Sequence, residues 1–370
     1  MASARIRYVN TASSAGGDGT TNNTSGATRA YATLAAAVSG QATNLVTADV
    51  YLQILCCGTT AQSFDGDFTG YTTDATRYVE IQGNTGASDG AHAGIFSTSY
   101  FRLSYTKDTG FTPRSYSGTR FDLRLTNLQM ENTGGTGERR NGINLTSYTG
   151  NGELYVKNCL IRYNPSGSPT TNDNHGFRAN ASTGAIKLYL INNVIYGFRE
   201  AGLFWDPKNS GEQLVLYNNT FAGNNLDGTD GVNVYMDVTN TAGEILIMKN
   251  NILTTFSCSG TPATYTHSNN GTTDTSSPDD TYDSQTYTYV NTTLATADYH
   301  LSASDTGAAA KGTDLSADGT YAFSDDCGRA TRSGTWDQGA FYLAPAAAGQ
   351  PTVKRLGGVQ NTNLIKRGWW

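Results

Sequence analysis

The sequence predicts an all-β chain folded as a right-handed parallel β-helix (a solenoid), with a short N-terminal capping helix and a C-terminal extended arm. Composition is the first observation behind this prediction. Thr, Asn and Gly are poor helix formers, yet they number 53, 31 and 42 among 370 residues. The second observation is a strand–Asn–strand unit that recurs five times, with intervals of 31, 34, 26 and 32 residues between its asparagines. Such a period is typical of solenoids.

Composition also excludes several other classes of protein. The net charge of −6 argues against a nucleic-acid partner, and the aromatic content of 11% argues against a highly charged disordered chain. No stretch approaches the roughly 20 apolar residues of a membrane span, so we expect no membrane partner. The five cysteines contain no C-x-x-C pair, so we expect mostly free, buried thiols rather than a disulfide framework.

The clearest helix signal lies in the N-terminal unit, residues 1–40. Leu34 and Val38 follow helical spacing in an Ala-rich run. Thr33 is suited to be the N-cap and Gly40 to end the helix. We expect this helix to cap the bore of the solenoid.

Period-2 alternation then dominates residues 41–344, which we assign to the β-helix. Its last five runs share a corner asparagine between two short strands. Asn tolerates the left-handed conformation that a sharp corner requires, and stacked Asn side chains hydrogen-bond from coil to coil. The predicted structural corners are Asn127, Asn158, Asn192, Asn218 and Asn250.

An antiparallel β-sandwich is the alternative, in which the same units are simple hairpins. Asn-Asn is a weaker hairpin signal than Asn-Gly, so the repeated register favours the solenoid. A coil needs only about 20–25 residues, and we therefore expect the excess in each interval to be loop along one side. The expected loops include 131–151, 164–185 and 197–211.

Over roughly residues 8–344, the sequence resembles the pectate-lyase-like, single-stranded right-handed β-helix proteins. Besides the Asn-cornered coils, the resemblance is carried by the opening segments 8–20 and 29–39, and by the closing segments 298–313, 325–330 and 336–344. The closing segments are similar to the final coils of such proteins, although Gly307 and Ala308 replace the usual Pro. The resemblance implies the fold more than the activity, because lyases, hydrolases, epimerases and adhesive proteins share it.

Lyases of this family bind Ca²⁺ through Asp or Glu clusters and use Arg or Lys as the base, whereas its hydrolases use clustered Asp. Neither cluster is readable here as a motif. The best local catalytic candidates are Asp173, His175 and Arg178, with Glu200 reaching the same groove. A carboxylate, an imidazole and a guanidinium suit acid–base work on a sugar. The alternatives are an Asx-rich turn with a surface His, and a surface ion pair.

Ca²⁺ is the only metal that the sequence brings into consideration. Asp279, Asp280 and Asp283 offer oxygen ligands in a Ser/Thr-rich stretch. Their spacing matches no metal loop, however, and a polar loop explains them as well. We therefore expect no resident metal and no cofactor.

Residues 345–370 form a separate basic and aromatic arm after a linker-like PAAAGQP. The arm contains no acidic residue, so it carries +4 while the rest of the chain carries −10. Three interpretations of the arm are open: it packs on its own solenoid, it is disordered, or it docks on another subunit. Its Trp and Arg residues favour docking, because these residue types are enriched at protein interfaces. The residues of this predicted interaction arm are Lys354, Arg355, Lys366, Arg367, Trp369 and Trp370.

Two functions remain open. The first is a structural virion protein of a tailed bacteriophage, decorating the capsid or attached to the tail, whose arm binds other virion proteins. The second is a polysaccharide lyase or hydrolase. The opening MASARIRYVN lacks the apolar stretch of a signal peptide. We therefore expect assembly in the host cytoplasm and residence in the virion, and we favour a non-enzymatic role. Assembly into a homotrimer and binding of a surface glycan are two further possibilities that the sequence leaves open.

Overall fold

The computed structural model describes residues 2–106, 110–114, 120–134, 140–146, 151–164, 174–180, 184–226, 232–239 and 243–343. The N-terminal helix lies where the sequence predicts it. Helix α1 (Leu34–Gly40) begins after Thr33, whose Oγ1 accepts a hydrogen bond from the Ala36 N–H at 3.2 Å. A second short helix, α2 (Leu45–Ala48), follows. None of the helices in these ranges has the length and apolar content that a bilayer crossing requires.

The longest sheet, sheet 1, contains nine parallel strands. Strands that neighbour each other in it are separated along the chain by about one repeat, which explains the period of the sequence. Alternate side chains point into the core and outward, as the period-2 pattern predicts. In sheet order its strands are β1 (Ser3–Asn10), β2 (Val50–Cys57), β3 (Val79–Gly83), β5 (Leu123–Thr126), β8 (Gly152–Lys157), β11 (Ile186–Ile191), β14 (Gln213–Tyr217), β17 (Ile245–Lys249) and β20 (Thr264–Ser268).

Two further sheets are also parallel, and each takes one strand from successive repeats. Sheet 2 comprises β4 (Arg102–Tyr105), β6 (Gln129–Asn132), β9 (Leu160–Tyr163), β12 (Val194–Tyr196), β15 (Thr220–Ala222), β18 (Ile252–Thr254) and β21 (Gly271–Thr272). Sheet 3 comprises β7 (Ile143–Asn144), β10 (Phe177–Ala179), β13 (Leu203–Trp205), β16 (Val234–Asp237) and β19 (Phe256–Ser259).

Sheet 3 corrects one expectation from the sequence. The intervals 131–151, 164–185 and 197–211 are not loop alone, because each contains one strand of this sheet. Its strands have only two to four residues, too few for a period-2 pattern to be recognised. Their apolar side chains nevertheless belong to the main core, including Phe177, Leu203 and Val234.

The interior is a stack of apolar rows held by exact parallel register. One row runs through Leu125, Val156, Leu190, Leu216 and Met248, which pair in sequence across sheet 1. All five side chains are fully buried. Because neighbouring strands lie about 4.8 Å apart, each side chain packs directly on those of the adjacent repeats.

The corner between sheets 1 and 2 is built on left-handed asparagines. All five predicted corners have positive φ, between 52° and 59°. Asn269, which the sequence analysis missed, forms a sixth corner after β20 with φ 55°. The side chains also bond along the stack: Asn158 Nδ2 donates to Asn127 Oδ1 at 3.3 Å, and Asn192 Nδ2 donates to Asn158 Oδ1 at 3.2 Å.

A second ladder of amides runs just inside this corner. Asn193, Asn219, Asn251 and Asn270 follow corner residues, and each is fully buried. The Oδ1 of Asn219 accepts from the N–H and the Nδ2 of Asn193, both at 3.0 Å, and the same pattern repeats toward Asn251 and Asn270. The ladder ends on a carboxylate, because the Asn270 N–H donates to Asp279 Oδ2 at 2.8 Å.

After β21 the described chain leaves the three parallel sheets. Strands β22 (Tyr289–Asn291) and β23 (Asp298–Leu301) pair antiparallel with each other. Residues 294–343, which we term the C-terminal cover, then pack on the outside of sheets 1 and 2. Trp336 packs with Ile191 and Tyr217 of sheet 1. The resemblance implies that these residues form final coils, but here they shield outward-facing apolar side chains of the repeats.

All five cysteines lie in the described ranges, and none forms a disulfide. Four are buried and Cys258 is partly exposed. The prediction of mostly buried free thiols is therefore confirmed.

His92 lies fully buried beside the corner of β8 and β9. Its Nδ1 accepts from the Gly94 N–H at 3.0 Å, so its Nε2, 2.9 Å from the Asn158 carbonyl, carries the proton. The contact at Nδ1 requires the neutral ring, because a protonated imidazole has no acceptor nitrogen. Burial lowers the pKa of His92 to about 4, and the nearby guanidinium of Arg329 acts in the same direction.

We predict that Asn219→Ala lowers the free energy of unfolding by about 3 kcal/mol, since buried donors and acceptors lose their partners. Chemical denaturation of the purified chain measures this loss. Asn291→Ala is the matched control. Its amide donates to the Thr296 carbonyl at a partly exposed position of β22, and we expect a loss below about 1 kcal/mol. Equal losses in the two variants would contradict a special role for the ladder.

We also predict an acid-labile contribution from His92. Unfolded histidine takes up a proton below about pH 6.5, whereas buried His92 stays neutral to about pH 4. As the pH is lowered from about 6.5 to about 4, the free energy of unfolding therefore falls by about 3 kcal/mol. Above and below this range, the contribution of His92 does not change with pH. Denaturation of wild type and His92→Gln from pH 8 to pH 4 measures it. Parallel curves for the two proteins would show that His92 contributes nothing.

Candidate functional site

The structure brings together two of the four catalytic candidates. His175 precedes β10 and Glu200 precedes β13, and the distance from His175 Nε2 to Glu200 Oε2 is 3.3 Å. Both side chains are only about 6% exposed. Arg178 lies on β10, with its guanidinium 5.6 Å from the ring centre of Phe204. Asp173 lies outside the described residues.

Backbone and amide groups surround this buried pair. The Asn174 N–H donates to Glu200 Oε2 at 3.1 Å, and the Asn174 side chain accepts from the Arg199 N–H at 3.1 Å. The His175 N–H donates to Asn141 Oδ1 at 2.9 Å. The pair therefore joins three successive repeats. Because so little of either side chain is accessible, this arrangement suits cohesion between repeats better than contact with a polymer.

A second candidate site lies on the outer face of sheet 1, in a row that sequence reasoning missed. The row is set three residues before each corner asparagine and contains Arg124, Tyr155 and Tyr189, which pair in register. The rings of Tyr155 and Tyr189 are parallel, with centroids 4.2 Å apart. The guanidinium of Arg124 lies 5.0 Å from the Tyr155 ring centre and 3.5 Å from that of Tyr78.

Two adjoining cavities follow this row, and Arg124 lines both. One of about 530 Å³ also contacts Tyr51, Tyr78 and Arg77. The other, of about 430 Å³, is lined by Glu80 and further residues of sheet 1 and of the C-terminal cover. We term the two together the outer groove. It combines aromatic faces with charged groups, a combination that suits sugars and other polar ligands.

The C-terminal cover supplies one wall of the outer groove. The Tyr321 ring centre lies 5.6 Å from that of Tyr155. Asp325 forms an ion pair of 2.8 Å with Lys157 and accepts from Asn158 Nδ2 at 2.8 Å. The wall is thus attached to the corner ladder, which fixes the width of the groove.

Neutral side chains hydrogen-bond the Glu80 carboxylate that lines the groove. Gln53 Nε2 and Thr126 Oγ1 each donate to the Glu80 carboxylate at 3.0 Å. Burial raises the pKa of Tyr155, and its neighbour Tyr189 raises it further. The phenol therefore stays protonated at neutral pH and serves as a neutral hydrogen-bonding group.

Two of the three aspartates considered as Ca²⁺ ligands, Asp279 and Asp283, contact protein hydrogen-bonding groups instead. Asp279 Oδ1 lies 2.9 Å from His267 Nδ1, while its Oδ2 accepts from Asn270. Asp283 Oδ1 accepts from the Ser277 N–H at 2.9 Å. Within the described ranges, no group of three or more His, Cys, Asp or Glu is placed to hold a metal ion. The six residues of the interaction arm lie outside the described residues.

The fold and site define a mostly β protein with three parallel sheets and an aromatic, charged outer groove. No family model matches the chain, and neither a curated protein nor a solved structure does.

Proposed function

We propose that the three parallel sheets form a right-handed parallel β-helix of the pectate-lyase-like kind, and that the chain is a structural protein of a tailed-bacteriophage virion. In this proposal it decorates the capsid or belongs to the tail. Successive repeats contribute strands in the same order to each sheet, as a solenoid requires. Strand–crossover–parallel strand connections are right-handed in about 98% of cases, which supports the handedness.

The observation that carries the functional proposal is the asymmetry of charge and aromatic residues. Residues 345–370 carry +4 and end in Trp369 and Trp370, while the remainder carries −10. Trp and Arg dominate the binding energy of protein interfaces. An arm of this chemistry suits attachment to other virion proteins.

The body suits a passive, stable particle component. Its repeats are locked by two amide ladders and by the buried His175–Glu200 pair. The last described residues are also fixed, since the Leu343 N–H donates to Asp337 Oδ2 at 2.7 Å. The arm therefore starts from a defined point on a rigid body.

We predict that removing residues 345–370 abolishes co-sedimentation with purified capsids or tails of the phage that encodes the chain. Circular dichroism should remain that of the full chain, because every strand of the described sheets lies before residue 345. Full-length Trp369→Ala/Trp370→Ala should weaken co-sedimentation at least tenfold, with Tyr342→Ala as a control beside the arm. Undiminished particle binding by the truncated chain would refute the arm as anchor.

A polysaccharide lyase or hydrolase is the second candidate, and the outer groove favours it. Arg124 lies between Tyr78 and Tyr155, so a sugar chain would meet aromatic rings and a cation in one channel. Aromatic rings stack on sugars through their apolar faces. In this alternative the glycan lies along sheet 1 and spans several repeats.

We predict for this second candidate that Arg124→Ala reduces binding to a glycan panel at least tenfold, because both cavities lose their shared wall. Lys187→Ala, on the outer face of the same sheet, should leave binding unchanged. New reducing ends or unsaturated products would demonstrate turnover. The absence of both binding and turnover on a broad panel would eliminate the enzyme.

A further inference from the structure

The apolar interior of the stack is incompletely covered at its C-terminal end. In the penultimate repeat Met236 and Met248 are fully buried. Their register partners in the last repeat are Cys258 and His267, and both are partly exposed, as is Tyr265. These three side chains face inward where no later strand of the parallel sheets follows in the described chain. We term this surface the open end.

The opposite end of the stack is closed. Helix α1 lies there, and its Leu34, Ala37 and Val38 are buried within the main core. The two ends therefore differ: one is capped by apolar side chains of the chain itself, while the other presents partly exposed side chains.

Tyr265 gives a second sign that the open end has an occupant. Its ring packs against the main core and lies 4.5 Å from that of His267. Its hydroxyl is buried and has no hydrogen-bond partner within the described residues. Buried hydroxyls are nearly always hydrogen-bonded, so a polar group from outside these residues would complete the site.

The rim of the open end is acidic. Residues 256–283, which span the last repeat and the turn after it, contain four aspartates and no lysine or arginine. Asp279 lies close enough to Tyr265, and Asp237 to Cys258, for each carboxylate to oppose ionisation of its neighbour. An occupant with positive charge and apolar side chains is therefore favoured.

We propose that this occupant is the arm of the same chain, residues 345–370. Its charge of +4 equals in magnitude the −4 of residues 256–283, and it supplies apolar side chains in Val353, Leu356 and the terminal tryptophans. Docking would cover the exposed part of the core while the arm's cations face the aspartates. The inference concerns the isolated chain and does not rest on the proposed function; a virion partner would compete for the same arm.

The arm starts close enough to reach this surface. Leu343 packs against the cluster that contains Ile252 of β18, one repeat before the end of sheet 2. The 26 residues of the arm span up to about 85 Å when extended. A flexible tether of this kind gives an effective concentration on the order of millimolar, so even weak contacts would hold the arm in place.

Hydrogen–deuterium exchange on the full-length protein tests the proposal. The test variant replaces the four arm cations with Gln (K354Q, R355Q, K366Q and R367Q). We expect amide exchange in residues 256–268 to rise about fivefold, while exchange in β2 at the closed end stays unchanged. High salt should have the same effect on wild type, because it screens exposed charge pairs.

A matched pair of single variants tests the acidic rim. Asp237 and Asp67 accept identical bonds, each from the N–H and Oγ1 of the Thr two residues later. Asn preserves both bonds at each site. Asp237→Asn should raise exchange in residues 256–268 by about twofold, whereas Asp67→Asn, in the N-terminal half, should not.

Carbodiimide cross-linking gives an independent measurement, since it joins Lys to Asp without a spacer. We expect intramolecular links from Lys354 or Lys366 to aspartates of residues 237–283, at a yield independent of protein concentration. The proposal would be overturned if amide exchange in residues 256–268 were the same in wild type, in the arm variant and at high salt. Links that form only between copies, with concentration-dependent protection, would overturn docking within one chain and assign the open end to a second copy.

Discussion

The left-handed asparagine corner is the constraint on which the other features of this protein depend. A chain that must turn sharply in every repeat needs a residue that accepts positive φ at low cost, and Asn does so while keeping a polar side chain. Here the corner amide also satisfies buried backbone: Asn218 Nδ2 donates to the Asp337 carbonyl at 3.0 Å. Glycine would allow the same turn, but it would leave that carbonyl and its equivalents without donors.

The same corner determines where the C-terminal cover lies and thereby shapes the outer groove. The corner ladder is interrupted between Asn192 and Asn218, and the cover fills this gap. Arg332 Nη2 reaches both Asn192 Oδ1 and the Gly339 carbonyl, and Asn218 Nδ2 donates to that same carbonyl. Because the cover is fixed there, its tyrosine wall stands at a defined distance from the aromatic row. The groove is therefore a product of backbone geometry as much as of its own side chains.

Structural features that recur in every repeat could be predicted from the sequence. Contacts that occur at a single place in the fold could not. The helix cap at Thr33, the period-2 strands and five corners could be predicted because each follows a local rule. Asn269 was missed because the strand before it, TYTHS, lacks the aliphatic residues of the other repeats. The wall at Tyr321 depends on a return of the chain across more than 100 residues, which no periodicity encodes. Val215 illustrates the same limit, since it faces outward and is buried only by the cover.

The contrast between the two ends of the stack also has a physical logic. Any stack of parallel strands ends in an unpaired edge and an exposed layer of core, and both invite association with another molecule. The N-terminal end avoids this with a helix. At the C-terminal end, four aspartates without a lysine or arginine would repel the same surface of a second copy, while the apolar layer beneath them remains available. Like charge therefore disfavours contact between two open ends, whereas a basic segment is attracted to this surface. At such a surface, charge complementarity provides specificity and apolar contact provides affinity, as is typical of specific interfaces.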